Sequence, residues 1–492
     1  MKPKYFLTQL LSQITLVSLG MTNSQAEIIV DIFGTGSHLK HVDNFPSNEK
    51  ALQRCQEFSK NLGYTADYCH HAYYEPLWEA GWLADNRGIF HLGVFYHGKC
   101  KSPETFNKTT GDCGLDEQKG LPPREPCIGN PINPTIGNKY QFEQDYINPK
   151  TGLTFSRTYN SIDTIWRHNF STHLRFASGY ISLVRADGHE SFIKTSNSAL
   201  ISDRPEYGKL EKNSTSWTYI APENNIYEFT NEGKLKKWIT ASHLEYNLSH
   251  TENSISIESN RGDRLIISSD NLGQPLTVDT NDTKIIYKYS SNQNLIKLTK
   301  TSKGTVNSKT KSFIYDDTRN PKHLTGIVDE NGVRYATWTY DGQGRAISSE
   351  HANGAEKIVL AYNQDGSTTV TNEYGKKATY RFQVVQGVRK LVAVEGEPSP
   401  NCPASNSTFA YDERGLLTRR TDNNGNVTLY EYNERGLETS RREALGTPQE
   451  RTILTQWHPR FYLPSQVEEP GRTIRYQYDE QGRQISQTFS TH

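Results

Sequence analysis

The chain has no excess of either charge: Lys and Arg together number 55, and so do Asp and Glu. That balance removes the basic footprint of a dedicated nucleic-acid binder and leaves a mixed, soluble surface. No segment approaches about 18 uninterrupted apolar residues, so no membrane span is expected. No paired C-x-x-C or H-x-x-x-H completes a tetrahedral metal set. A Ser nucleophile elbow, a His-Glu-x-x-His pair and a facing pair of carboxylates are also missing, so the expectation is a non-enzymatic chain without cofactor or metal. Gly34-Thr35-Gly36 follows IIVDIF but lacks the third glycine and the helix of a phosphate cradle; it reads as a turn.

What the chain does have is length, tyrosine and turn residues. Its 492 residues exceed one ordinary core, which points to two or three units or to one long repetitive one. Only 34% of residues are apolar, against 28 Tyr and 36 Gly, a composition that leans toward β-structure with many turns.

At the N-terminus, Lys2 and Lys4 precede an apolar stretch from Phe6 to Met21, and Ser24-Gln25-Ala26 offers a cleavage site before Glu27. That is the layout of a secretory signal peptide over residues 1–26, with an amphipathic first helix as the competing reading. No cysteine sits at the cleavage point to carry a lipid. The mature protein is therefore expected to be exported to the periplasm, cell surface or medium. Cysteine use agrees: Cys55, Cys69, Cys100, Cys113 and Cys127 fall within a head over residues 27–127, with Cys402 isolated. In an oxidising compartment this reads as a disulfide-containing head, although six cysteines permit about 15 pairings. The guess is Cys55 with Cys69 and Cys100 with Cys113, leaving Cys127 for Cys402 or free. Cys69-His70-His71 reads as a disulfide residue beside two ordinary histidines, because adjacent residues rarely point at one ion.

The C-terminal half repeats itself. YDERGL begins at Tyr411 and YNERGL at Tyr432, and three corners place Asp or Asn three residues before Gly: Asp412 with Gly415, Asp422 with Gly425, Asn433 with Gly436. Asp or Asn bonds back to the chain and Gly supplies positive φ, so each corner is a turn between strands. The beat recurs at Asp341 with Gly344 and at Asp479 with Gly482, among others, and Arg261-Gly262-Asp263 falls in phase as one more corner. About six or seven residues separate the corners, an ordinary strand length. Aromatics two apart share a face and end just before a turn, so Tyr289, Tyr315, Tyr340, Tyr362, Tyr432 and Tyr478 are expected to line up as an aromatic ladder. Open sheets seldom exceed about ten strands without curling, so residues 226–492 should form a long antiparallel meander curling into a spiral or partial β-shell, in an all-β chain.

The Tyr-Asp-x-x-Gly unit, as in YDGQGRAISSEHANG and YDEQGRQISQ, resembles the YD repeats of RHS-repeat proteins. GNPINPTIGNKYQFEQDYINPKTGLTFSRTYNS, from Gly129 to Ser161, is similar to the β domain that precedes RHS repeats in bacterial proteins, placed here at 128–225. The resemblance implies a β-shell and a polymorphic-toxin carrier. The Asp-Pro-x-Gly-type self-cleavage motif and a toxin tail are absent, and the meander stops ten residues after Gly482, so the shell is expected to be incomplete. The expected function is an exported scaffold that encloses or presents a partner, either a downstream RHS or toxin polypeptide. The alternative is a cell-surface protein that binds carbohydrate, with an envelope glycan as partner.

Overall fold

A computed structural model describes residues 113–122, 131–177, 180–196, 199–202, 204–396 and 406–491, together with the backbone of 27–34, 37–45, 72–74, 78–85, 88–97 and 105–106. The signal-peptide residues lie outside the described residues. So do Cys55, Cys69, Cys100, Cys127 and Cys402, and Cys113 enters only as backbone in a two-residue strand. In the head, five strands pair in the order Ser37–Phe45, Glu27–Gly34, Gly88–His97, Trp78–Asp85, Ala72–Tyr74. Gly34 stands opposite Ser37, so a hairpin joins the first two.

From Ile132 the chain builds two four-stranded antiparallel sheets. The first contains Asn138–Ile147 and Thr154–Asn160, and the second contains Tyr180–Val184 and Glu190–Ser196. We call this unit the hub. From Lys209–Lys212 to Gln484–Thr491 a single sheet of 26 strands follows, each strand paired with the next in sequence. Pairing thus begins before residue 226, because the strands Lys209–Lys212 and Trp217–Ile220 join the sheet without Asp-x-x-Gly corners. Alternation writes the strands: Thr283–Tyr289 buries Thr283, Ile285 and Tyr287 and exposes Lys284, Ile286 and Lys288.

The wall coils around the hub. Leu174 of the hub donates its N–H to Gly233 O (2.9 Å) and Gly137 O accepts from Ala346 N (2.9 Å). Further along, Thr368 donates to Pro134 O (2.8 Å) and Arg389 to Thr135 O (2.9 Å). Flat, the strands from Leu235–Ile239 to Val388–Gly396 would spread over about 70 Å at the usual spacing, more than a small domain can touch. One core accordingly runs from Ile132 through Phe229, Ile285 and Trp338 to Val394.

The coil then passes its own beginning. Asn224, in the turn after Trp217–Ile220, exchanges two hydrogen bonds with the backbone of Tyr462, in the turn after Arg451–Trp457. Ile220, Leu437, Phe461 and Tyr462 form a second small core at this meeting. These turns would be about 100 Å apart in a flat sheet. The first and last strands do not pair, so the sheet is an open coil and not a closed barrel.

Candidate functional site

Each expected corner has one geometry. Asp412 Oδ1 accepts the N–H of Arg414 (3.0 Å) and of Leu416 (2.8 Å), while Gly415, at φ 80°, donates to Asp412 O (2.9 Å). Asn433 does the same toward Arg435 (2.9 Å) and Leu437 (3.0 Å), with Gly436 at φ 72°. Asp341, Asp422 and Asp479 repeat it, with Gly344, Gly425 and Gly482 at φ 77–82°. Arg261-Gly262-Asp263 is such a corner too. Asp263 is buried and accepts from Asn148 (2.8 Å), and Arg261 donates to Thr151 O (2.7 Å), so the tripeptide is spent on the hub.

The repeat tyrosines are latches. Tyr340 donates its hydroxyl to Leu324 O (2.7 Å), Tyr362 to Ala346 O (2.6 Å), Tyr432 to Leu417 O (2.7 Å) and Tyr478 to Pro464 O (2.8 Å). Tyr289 reaches Pro275 O (3.1 Å), and Tyr315 accepts from the hub's Trp166 (3.2 Å). Three of the acceptors, Pro275, Ala346 and Leu417, stand two residues after the glycine of the preceding corner. A hydroxyl at the end of one strand therefore pins the start of the strand before it. A continuous run of ring contacts passes through Tyr219, Tyr227, Trp238 and Tyr246, at centroid spacings of 5.1–5.8 Å, while among the repeat tyrosines Tyr478 stacks on Tyr476 at 6.4 Å.

The inner face is filled at one end and open at the other. Over the hub, Arg157 is fully buried against Asp145, stacked on Trp166 (4.5 Å) and Tyr287 (4.9 Å), and Tyr287 donates to Asp145 (2.8 Å). Glu143 takes Lys311 (3.0 Å) and Tyr335 (3.0 Å) from the wall. Burial alone would raise the Glu143 pKa, but Lys311 and Arg157 hold it below the usual carboxylate range. Lys139 lies over Trp338 (4.4 Å) and donates to Tyr140 O (2.6 Å); burial pulls its pKa down to about 7, against the opposing pull of Glu143. Burial likewise holds His168 at about 3. The hub is thus locked to the wall by charge and packing together.

Beyond Tyr411 the hub ends. Tyr430 and Tyr432, which occupy the repeat positions of the buried Trp338 and Tyr340, are only half-buried. Tyr430 faces Arg441 across the strands, Arg441 faces Ile453, and Ile474 faces Phe489, which is 66% exposed. Arg441 stands 3.1 Å from Glu443 and 3.5 Å from Glu438. This surface mixes aromatic, aliphatic and charged groups. Among the described residues no cluster of three His, Cys, Asp or Glu side chains could hold a metal ion. Sequence reasoning did not find the pairs Asp145 with Tyr287 and Glu143 with Lys311, because nothing local links residues more than a hundred positions apart.

Comparison with known families matches a domain of unknown function, DUF6531, at residues 129–192 and the RHS Repeat at residues 411–448. The chain carries the RHS repeat. The DUF6531 match lies over the hub, and the RHS Repeat match takes in the three corners from Asp412 to Gly436. No curated protein matches the chain. Among solved structures, TcdB2-TccC3-TEV is 14% identical, with 76% of this chain and 20% of that chain covered and a TM-score of 0.31. TcdB2-TccC3 is 13% identical over 84% and 22% of the two chains, at 0.31. The Photorhabdus luminescens Tc holotoxin pore is 12% identical over 72% and 21%, at 0.27. The chain spans about a fifth of the length of these solved chains. Among the described residues no helix is long and apolar enough to cross a membrane.

Proposed function

We propose that this RHS-repeat chain is an exported, non-enzymatic scaffold that encloses or presents a polypeptide partner of toxin type on its open inner face. The observation that carries the reading is the change at Tyr411: before it the hub covers the wall, and after it Tyr430, Arg441 and Phe489 face inward with no hub against them. Aromatic and arginine side chains of this kind are what protein contacts draw on. The rest of the molecule holds that surface still, since corner bonds, tyrosine latches and the buried charges all fix the curvature of the wall. Membership among RHS-repeat proteins supports a toxin-associated partner.

The test is co-expression of the full chain with the polypeptide encoded immediately downstream. The expected result is a single co-eluting complex in which residues 411–491 resist protease better than in the chain alone. Separate elution with unchanged proteolysis would overturn the proposal.

A further inference from the structure

Lys139, on the hub strand Asn138–Ile147, is buried completely where the hub meets the wall. Its Nζ gives one hydrogen bond, to Tyr140 O (2.6 Å), and lies 4.4 Å from the centre of the Trp338 ring. An ammonium has three N–H groups, so two remain to be met. Among the described residues no carboxylate stands within ion-pair distance of this one. Glu143, four residues along the same strand, acts on it only from a distance and is itself bonded to Lys311 (3.0 Å), Tyr335 (3.0 Å) and Gln141 (2.8 Å). A buried charge without a partner is among the costliest arrangements in a protein interior, and the face of one indole offsets only part of it.

Two more donors beside it are unmet. Trp338 is 2% exposed and its Nε1 has no hydrogen-bond partner; Ser349 is 0% exposed and its Oγ has none either. The two residues stand directly opposite each other on the adjacent wall strands Arg334–Tyr340 and Ala346–His351, which sets their Cβ atoms about 4.5–5.5 Å apart. Nε1 belongs to the ring over which Lys139 lies. An ammonium, an indole N–H and a hydroxyl thus share one buried junction, and buried donors are ordinarily answered by something.

The chemistry of the missing partner follows from these donors. A water would leave the charge unpaired and bring two protons that need acceptors of their own. An oxyanion such as sulfate would bring more oxygens than three side chains can meet. A monatomic anion accepts from every donor and cancels the charge. We infer that Lys139, Trp338 and Ser349 hold a single halide ion, chloride in ordinary media, at the junction of hub and wall. Bound there, the ion joins the hub strand to two wall strands, so its binding tightens the hub in the coil. This inference does not rest on the scaffold role, because the site lies at the covered end of the inner face.

Bromide tests it, as a halide that X-rays can locate. Crystals of the full chain grown without halide and soaked in bromide should show an anomalous peak in contact with Lys139 Nζ. In solution at pH 6, below the value of about 7 to which burial brings Lys139, bromide and chloride should raise the melting temperature with the logarithm of their concentration. General salt effects rank the other way, with sulfate the most stabilising. Lys139→Met should lose both the peak and the halide response. Trp338→Phe and Ser349→Ala, which each remove one donor, should raise the bromide concentration needed for a given shift at least about fivefold. Lys284→Met, on the exposed face of the wall, should respond as the parent does. Melting curves without halide identify variants that fail to fold, and any one folded core variant suffices for the test. A soaked crystal without bromide at Lys139, a response that ranks sulfate above the halides in parent and Lys139→Met alike, or parent-like halide response in every folded core variant would overturn the inference.

Discussion

Asn224 and Tyr462 hold each other across the seam of the coil: Tyr462 N–H donates to Asn224 Oδ1 at 2.8 Å, and Asn224 Nδ2 donates to Tyr462 O at 3.2 Å. Asn224 also takes positive φ, 62°, so Ala there would confuse two effects. Asn224→Gly keeps the backbone and removes only the clasp. It should cost about 1–2 kcal/mol, for one lost pair of hydrogen bonds, and speed amide exchange in residues 457–463 while leaving the hub strands unchanged. Unchanged exchange at the seam would mean that packing of Ile220 and Phe461 alone closes it.

The corner glycines are not equivalent, and their surroundings rank them. A side chain at Gly425 meets nothing within 4 Å, so Gly425→Ala should lose only about 1 kcal/mol, the strain of positive φ. At Gly436 the new Cβ would lie 2.9 Å from Glu206 Cβ and 3.2 Å from its backbone nitrogen. Gly436→Ala should therefore cost clearly more than Gly425→Ala, with Gly415→Ala, 3.1 Å from the flexible end of Lys390, between them. Urea denaturation of the three variants measures the order. Equal losses would show that the seam does not press on the corners.

Much of the wall was legible because its information is local. Asp412 to Gly415 states a turn, the Tyr before it closes a strand, and the spacing sets the strand length. Corners without glycine were harder to see. Thr240 to His243 and Ser290 to Gln293 make the same bonds as the Asp-x-x-Gly corners, with His243 at φ 61° and Gln293 at φ 64°. The hub's grip on the wall was not legible at all. Asp145 meets Tyr287 and Lys300 only after the chain has coiled, and Glu143 meets Lys311 and Tyr335 in the same way. The spacing of the tyrosines states that their rings share a face but not that their hydroxyls bridge neighbouring strands.

Gln293 turns that omission into a test. An ordinary side chain at positive φ is strained, and Gly at this corner would relieve the strain. Gln293→Gly should gain about 0.5–1 kcal/mol in urea denaturation, whereas Gly substituted within a strand would destabilise. A loss of stability at this position would show that the Gln293 side chain holds the corner in a way its backbone geometry does not reveal.

Tyr432 tests the latch. Its hydroxyl makes one hydrogen bond, to Leu417 O, and its ring is half-buried. Tyr432→Phe should cost about 1 kcal/mol by leaving that carbonyl unanswered, and Tyr340→Phe should cost more, because Leu324 O is buried where water cannot replace the hydroxyl. Equal and negligible losses from the two variants would reduce the latch to a packing contact.

Buried bases set the pH dependence. His168 is held at about 3 by burial, well below the ordinary histidine value of about 6.5, and burial lowers His189 and His173 too. Between these values the unfolded chain binds protons that the folded chain refuses, so stability rises with pH across the window and falls on acidification. Lys139, lowered to about 7 from an ordinary value of about 10.4, has the same sign at higher pH: stability rises again above pH 7 as the folded chain sheds that proton. Lys139→Met should consequently be more stable than the parent at pH 6, with the advantage shrinking by pH 9. Its nonpolar side chain can keep the place over Trp338 without carrying a charge into the core. Urea denaturation followed by tryptophan fluorescence at pH 5, 6, 7, 8 and 9 reads both effects. A parent whose stability is flat from pH 5 to pH 6.5, or a Lys139→Met advantage that stays constant to pH 9, would show that these bases are solvated in the folded protein and that the core is less dry than its packing indicates.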